Sequence, residues 1–497
     1  MKKFFRYIPL VIVLIVTASC NKSFLDRTPP DKLATTTFWK TESDADLALT
    51  GLYNYMYASS GGYATSQFQV VAWDNFSDDS YGQYNYGGGT SALTAGITPQ
   101  SGDFVYAYYA NSYQAIAAIN SFLANVGKVL SGDKLKQYKG EAFFLRGFYY
   151  LWLAQLYGNT IITTEDPFSI DFKSTKAKSD KADVLKQAVA DLDSAIASLP
   201  ASAYGDGHAV KSTAQGYKVR ALLVQEKWAD AASLAKQVIS DNLYSLNPDY
   251  SANFYKSGQN ASKEIMFSVK YQLPNIQHQD VALAVSLQRW KGELATQDLI
   301  NEYEAGDPRK TMTFFFPGDT EAQGWPFTGD LAVATPGKDS WITGYYCVKK
   351  WLTPGMVNPD YGALDDNDYV LLRFADIKLM YAEAQNEAAG ADATVYQQIN
   401  EVRARPGVNM AALPAGLTKD QMRERIRHER RVEFAMEGLR YHDLRRWHIA
   451  KQKLNGFVPN PLAPDVKTKY EDKYDFWPLP QTEIDRNQPD LIQNPGY

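Results

Sequence analysis

Residues 368–407 read DYVLLRFADIKLMYAEAQNEAAGADATVYQQINEVRARPG. Leu371, Ala375, Leu379 and Ala382 recur at i, i+4, i+8 and i+11, a spacing that predicts one helical stripe beginning near 371. Leu372 and Met380 widen the stripe, so the helix is expected to be buried on most of its circumference. Arg373 and Asp376, three apart, are positioned to pair on it, and Glu383 and Glu387 fall on the more polar side. Gly390 supplies a stop and Asp392 a cap for a second helix, in which Val395, Ile399 and Val402 form the stripe. That helix must end before Pro406 and Gly407.

A second pair of helices lies upstream, over 211–241. Ser212 and Gln215 have the spacing of a capping box, followed by Tyr217, Ala221 and Val224 on one face. Trp228 marks the turn, and Ala231, Ala235 and Val238 follow on the partner helix. Both units have the size of a tetratricopeptide-like hairpin, and their small alanines permit close packing. Further helices are predicted at Ala45–Met56 behind an N-cap at Ser43, at 103–125, at 135–157 closed by Gly158, and at 182–199 before Pro200. Thr418 and Gln421 cap a last long helix, MRERIRHERRVEFAMEGLRYHDLRRW. Its charges of both signs, with Arg425–Glu429 and Arg430–Glu433 in helical register, read as a structural ion-pair network. Periodicity is lost over 59–102 and 245–365. The first of these stretches interleaves glycines with Tyr63, Phe68, Trp73, Phe76, Tyr81, Tyr84 and Tyr86; the second holds β-like runs at 264–270 and 341–351.

The chain has 497 residues, 45% of them hydrophobic, enough for a large core. Its net charge is −5, and because Lys2, Lys3 and Arg6 are all basic, the chain from Cys20 onward carries −8. Such a balance offers no basic excess to neutralise phosphates, which argues against nucleic acid as a partner. The N-terminus combines that basic cluster with a short apolar run, Leu10–Val16, and then Ala18-Ser19-Cys20, which reads as a lipoprotein export signal. Thr17 stands where such signals usually have Leu. Cys20 is then the lipid attachment site, 1–19 the signal, and 20–40 a tether.

Catalytic patterns are absent from the sequence. The five histidines are scattered without metal-ligand spacing, GGG at 87–89 is not followed by Lys-Ser/Thr, and no cofactor or metal is expected. Asp78 with Asp79 could accept sugar hydroxyls, and Asp365, Asp366 and Asp368 could meet a calcium ion, although they lack a full loop pattern. The aromatic residues are more informative: 33 tyrosines equal the number of glycines. Flat rings can stack on the C–H face of a sugar while polar groups bind its hydroxyls. Tyr81, Tyr84, Tyr86, Trp290 and Trp325, flanked by Gly, Pro or polar residues, are the candidate ligand-binding rings. Trp73, among apolar neighbours, and Trp341, in a β-like run, complete the set. Trp39, Trp152, Trp228, Trp447 and Trp477 are assigned to the core.

Five blocks, in order, resemble signatures of the SusD/RagB family of outer-membrane nutrient-binding lipoproteins. They are FWKTESDA, GEAFFLRGFYYLWLAQLYG, NDYVLLRFADIKLMYAEAQNE running into INEVRARPGV, RIRHERRVEFAMEGLRYHDLRRW, and WPLPQTEIDRNQPDLIQNPGY. The resemblance implies a mostly α, single-unit fold over 41–497. Tetratricopeptide-like hairpins (41–58, 103–241 and 366–497) would support loop-rich binding regions (59–102 and 245–365). It also implies a lipid-anchored protein at the cell surface that binds glycan and partners a TonB-dependent transporter of the SusC type. A peptide ligand, an exported glycosidase and a protein-only tetratricopeptide adaptor are the rival readings.

Overall fold

The computed structural model describes residues 38–57, 70–82, 89–171, 174–276, 278, 287, 293–316, 346–354, 364–460 and 464–497. The predicted signal, Cys20 and most of the tether lie outside the described residues.

The molecule is mostly helical. After α1 (Glu42–Asn54) come α2 (Ala107–Asn125), α3 (Gly132–Leu156), α4 (Lys181–Ser198), α5 (Lys211–Val224) and α6 (Trp228–Ser240). The row resumes with α7 (Phe374–Ala389), α8 (Ala393–Arg403), α9 (Lys419–Glu433) and the short α10 (Arg440–Arg446). From α2 to α8 each helix packs on its successor, and α9 packs on α7. The two hairpins found by periodicity are therefore stacked directly, α6 against α7, although over a hundred residues separate them in sequence. Close approach has a visible cause at α3 and α4, where a Cβ on Gly147 would lie 2.9 Å from the Ala188 carbonyl oxygen. The same contact carries a buried ion pair, with Arg146 Nη2 2.6 Å from Asp191 Oδ1. Ala375, Leu379 and Ala382 of α7 form a cluster with Val395, Ile399 and Val402 of α8 and with Met422 and Ile426 of α9.

The local stop signals operate as read. Gly390 has φ +95°, Asp392 accepts hydrogen bonds from the Thr394 and Val395 amides, and Thr418 and Gln421 form their capping box. Two caps move. Thr41, not Ser43, caps α1, because its hydroxyl and the Asp44 carboxylate bond each other's amides. Val210 occupies the cap of α5, donating its amide to Thr213 Oγ1, while Ser212 Oγ pairs with the Tyr244 hydroxyl at 2.7 Å.

The larger correction concerns the start of α7. Residues Tyr369–Arg373 are a strand, β5, antiparallel to β2 (Ile265–Val269), and the helix begins only at Phe374. A short apolar run is compatible with either structure, and the β2 partner decides it. The ladder closes the neck of the inserted region between α6 and α7. Asp368 latches that neck, its carboxylate 2.8 Å from Lys256 Nζ and 2.9 Å from Lys270 Nζ. The expected Arg373–Asp376 pair is not formed. Arg373 turns to Glu264, Glu433 and Glu437, and Asp376 to Arg220 and Arg430.

Candidate functional site

Three two-residue strands, each too short to show periodicity, come together beside the segments singled out by their rings. β1 (Ser80–Tyr81), β3 (Leu294–Ala295) and β4 (Tyr346–Cys347) make one antiparallel sheet in the order β1–β3–β4. Tyr81 lies opposite Leu294, and Leu294 lies opposite Cys347. Each strand is the foot of a segment singled out by its rings. β1 leads into Tyr84 and Tyr86, β3 follows Trp290, and β4 follows Trp325 and Trp341. The first segment, more than two hundred residues upstream of the other two, is thereby rooted beside them. Tyr84, Tyr86, Trp290, Trp325 and Trp341 themselves lie outside the described residues.

The other two predicted rings are not platforms. Trp73 is 2% exposed and packs on Tyr108 at 5.1 Å, Trp152 at 4.9 Å and Trp477 at 5.7 Å, in the middle of the aromatic core. It belongs to a helical turn, Val70–Trp73, that is pressed against Gly438. Tyr81 is 4% exposed and belongs to the main buried cluster.

Helices α9 and α10 hold the feet of the segments. Arg440 grips Asp78 with Nε to Oδ1 at 2.8 Å and Nη2 to Oδ2 at 2.8 Å, and Arg431 Nε reaches Asp79 Oδ1 at 2.7 Å. Thr296, next to β3, donates its hydroxyl to the Asp78 carbonyl and its amide to the Asp79 carbonyl. Asp78 and Asp79, read from sequence as possible acceptors for sugar hydroxyls, are thus buried and committed to guanidinium groups. Burial pushes the Asp79 carboxyl up to about 6 despite Arg431 and Arg440. For Asp78 burial acts in the same direction, but Arg431 and Arg440 outweigh it and hold the carboxyl well below the usual range.

Residues 241–497 match the model of the SusD family, and residues 23–223 match a model described as starch-binding associating with outer membrane. The chain belongs to the SusD family. SusD-like protein P2 of Formosa agariphila is 25% identical over 529 residues, covering 100% of both chains. Among solved structures, a SusD-like carbohydrate binding protein from Bacteroides fragilis superposes with a TM-score of 0.80 at 24% identity, over 92% of this chain and 100% of that one. A laminarin-binding SusD-like protein matches with a TM-score of 0.72 at 22% identity, over 92% and 100% of the two chains.

In this SusD-family chain the frame beneath the sheet is ionic. Arg373 Nη1 lies 2.6 Å from Glu433 Oε1 and 2.9 Å from Glu264 Oε1, while Arg405 bridges the same two carboxylates at 2.7 and 3.0 Å. Arg309 joins Glu429 and Glu433 at 2.6 and 2.9 Å. Burial opposes ionisation of Glu433, but Arg405, Arg373 and Arg309 together hold its carboxyl down to about 2. Lys350 enters from the segment after β4, Nζ to Glu437 Oε1 at 2.6 Å, with burial pulling its ammonium down to about 8. The charge density of MRERIRHERRVEF was the sequence signal for this network; Arg427 pairs with its helical neighbour Glu424, but the members of the two expected pairs, Arg425–Glu429 and Arg430–Glu433, find partners elsewhere. Arg425 pairs with Glu304, Glu429 with Arg309 and Arg403, and Arg430 with Asp376 and Asp443. Asp366 accepts from the Leu273 amide and Asp365 from the Asn367 amide, so the acidic run 365–368 serves the neck. Among the described residues no group of His, Cys, Asp and Glu is placed to hold a metal ion.

Proposed function

We propose that this protein is a surface lipoprotein, anchored to the outer membrane through Cys20, that captures oligo- or polysaccharide and delivers it to a SusC-type TonB-dependent transporter. The observation that carries the reading is the β1–β3–β4 sheet, which roots three ring-bearing segments together on an ion-paired helical frame. Tyr84, Tyr86, Trp290, Trp325 and Trp341 are the proposed stacking rings. Rings anchored on a rigid base lose little conformational freedom on binding, which suits reversible capture. Carbohydrate binding by one structural relative and laminarin binding by another support a glycan ligand. Capture without turnover is supported by the acidic clusters, because Asp78, Asp79 and Asp368 are committed to cations of the scaffold. The proposed organisation is a signal at 1–19, a tether at 20–40 and one folded unit over 41–497.

Calorimetry against starch, laminarin and other glycans, with peptides in parallel, tests the proposal. Binding of a glycan is expected, with intact sugar recovered afterwards. Trp290→Ala or Trp325→Ala should weaken it by about 1–3 kcal/mol, the range for loss of a ring-stacking contact, at unchanged melting temperature. Peptide binding without glycan binding would replace the ligand class, and shortened sugar in the cell would make the protein a hydrolase.

A further inference from the structure

The helical row carries a cavity of about 250 Å³, bounded by the start of α6, the second half of α7, α9 and the turn after α10. Two tryptophans line it, and they are used differently. Trp447 is buried; its Nε1 donates to Glu383 Oε1 at 2.8 Å, and the Arg427 and Arg446 guanidinium carbons lie 5.1 and 5.0 Å from its ring centre. Trp228, the first residue of α6, is half-buried. One side of it rests on the core, yet it is the one tryptophan among the described residues without a ring, cation or hydrogen-bond partner.

Apart from Ile426, the rest of the wall is polar and electrically balanced. Arg423 Nε and Nη2 meet Glu387 at 2.5 and 2.7 Å, Arg446 Nη2 meets Glu383 at 2.7 Å, and His448 Nε2 meets Glu226 at 2.8 Å. A carboxylate has about four acceptor sites, so these pairs keep acceptor capacity for further donors. Glu387 and Arg423 retain 13% and 29% side-chain exposure, so solvent reaches them. An apolar peptide side chain would desolvate these ions without replacing their hydrogen bonds. An anion would meet three carboxylates alongside the three arginines. A neutral ligand with a C–H face for the indole and hydroxyls for the ion pairs satisfies both halves of the wall. The volume lies just below the roughly 300–1,000 Å³ of ordinary ligand pockets, which fits a single sugar ring.

We infer that this cavity is a second saccharide subsite, taking one neutral pyranose unit on the face of Trp228 with Arg423, Glu387 and His448 at its hydroxyls. The inference rests on the glycan-capture reading above and extends it. Two subsites on one chain hold a polysaccharide at two points, so release requires both to open.

The test uses the mature protein with ¹⁵N-labelled tryptophan, in which Trp228→Ala identifies the Trp228 indole resonance. Titration with maltoheptaose, laminarihexaose, starch and laminarin should move that resonance. Trp228→Ala should weaken polymer binding by at least about fivefold, and Trp228→Phe, which keeps a ring, should restore most of it. If a glycan saturates the protein while the Trp228 resonance stays still, the subsite is overturned and glycan capture stands. If no glycan binds, both readings fail. Movement with peptides or with a co-purified transporter alone would also overturn the subsite. Should Trp228→Ala fold poorly, Trp228→Phe still identifies the Trp228 indole resonance by its loss, and a resonance that stays still at glycan saturation still overturns the subsite.

Discussion

Arg373 sits at the end of a five-residue strand and bonds three carboxylates at once. Its guanidinium meets Glu264 beside β2, Glu433 in α9 and Glu437 beyond it, and Nη2 also donates to the Glu433 carbonyl at 2.9 Å. Removing one member of such a buried set leaves charges uncompensated. Arg373→Met is therefore expected to cost about 3–5 kcal/mol, seen as a lower urea midpoint at constant slope. The pH dependence follows from the same cluster. Glu433 is depressed from 4.5 to about 2 and Asp376 from 3.8 to about 2, so their stabilisation is complete above those ordinary values and is lost as pH falls through them toward 2. Asp79, raised to about 6, acts oppositely: its contribution is present below 3.8 and is lost as pH rises through 6. The urea midpoint should therefore drop steeply only below about pH 4, and Glu433→Gln should make that drop shallower while lowering the midpoint at pH 7. A drop of the same steepness in the variant would show that other groups govern acid unfolding.

At the scale of elements, the turn from α9 to α10 sets where the first ring-bearing segment is held. Gly438 has φ +73°, its amide donates to Asp74 Oδ2 at 3.0 Å, and a Cβ there would lie 2.4 Å from the Val70 carbonyl oxygen. The neighbour is backbone and cannot swing aside. Gly438→Ala should destabilise by at least about 2 kcal/mol, combining left-handed strain with overpacking. Hydrogen exchange should speed up first at residues 70–81; protection lost evenly over the molecule would argue against a local joint. Elements also show where sequence reading succeeds. Gly390, Asp392 and the Thr418–Gln421 box act over three or four residues, and so were legible. β5 is not legible in this way: Leu371 keeps helical spacing with Ala375 only by coincidence, and the ladder to β2 overrides it.

For the whole molecule, the proposed role depends on place as much as on fold. Cys20→Ala should release the protein from the membrane or leave its precursor uncut; unchanged membrane association would remove lipidation from the proposal. Mild-detergent extracts should yield a TonB-dependent transporter with the protein, and recovery of the protein alone would remove the partner. The helical row winds from α2 to α8 through an interruption between α6 and α7, and the β2–β5 neck makes that interruption tolerable. Bringing the two ends of a long insertion together leaves the stacked helices in register, while the length of the loop costs only logarithmically more entropy.

The sequence by itself determined the helical stripes, their stops, the two hairpins, the acidic character of the chain and the signal-like N-terminus. Apart from the charge balance, which is a sum over the chain, each of these depends on residues near each other in sequence. It did not determine which guanidinium meets which carboxylate, because Arg405 and Glu264 lie 141 positions apart and Arg431 and Asp79 lie 352 apart. A buried charge takes whatever partner folding brings within hydrogen-bond reach, however distant in the chain. For the same reason only the tertiary structure could place Trp73 in the core, leave Trp228 beside a cavity, and gather three two-residue strands into one sheet.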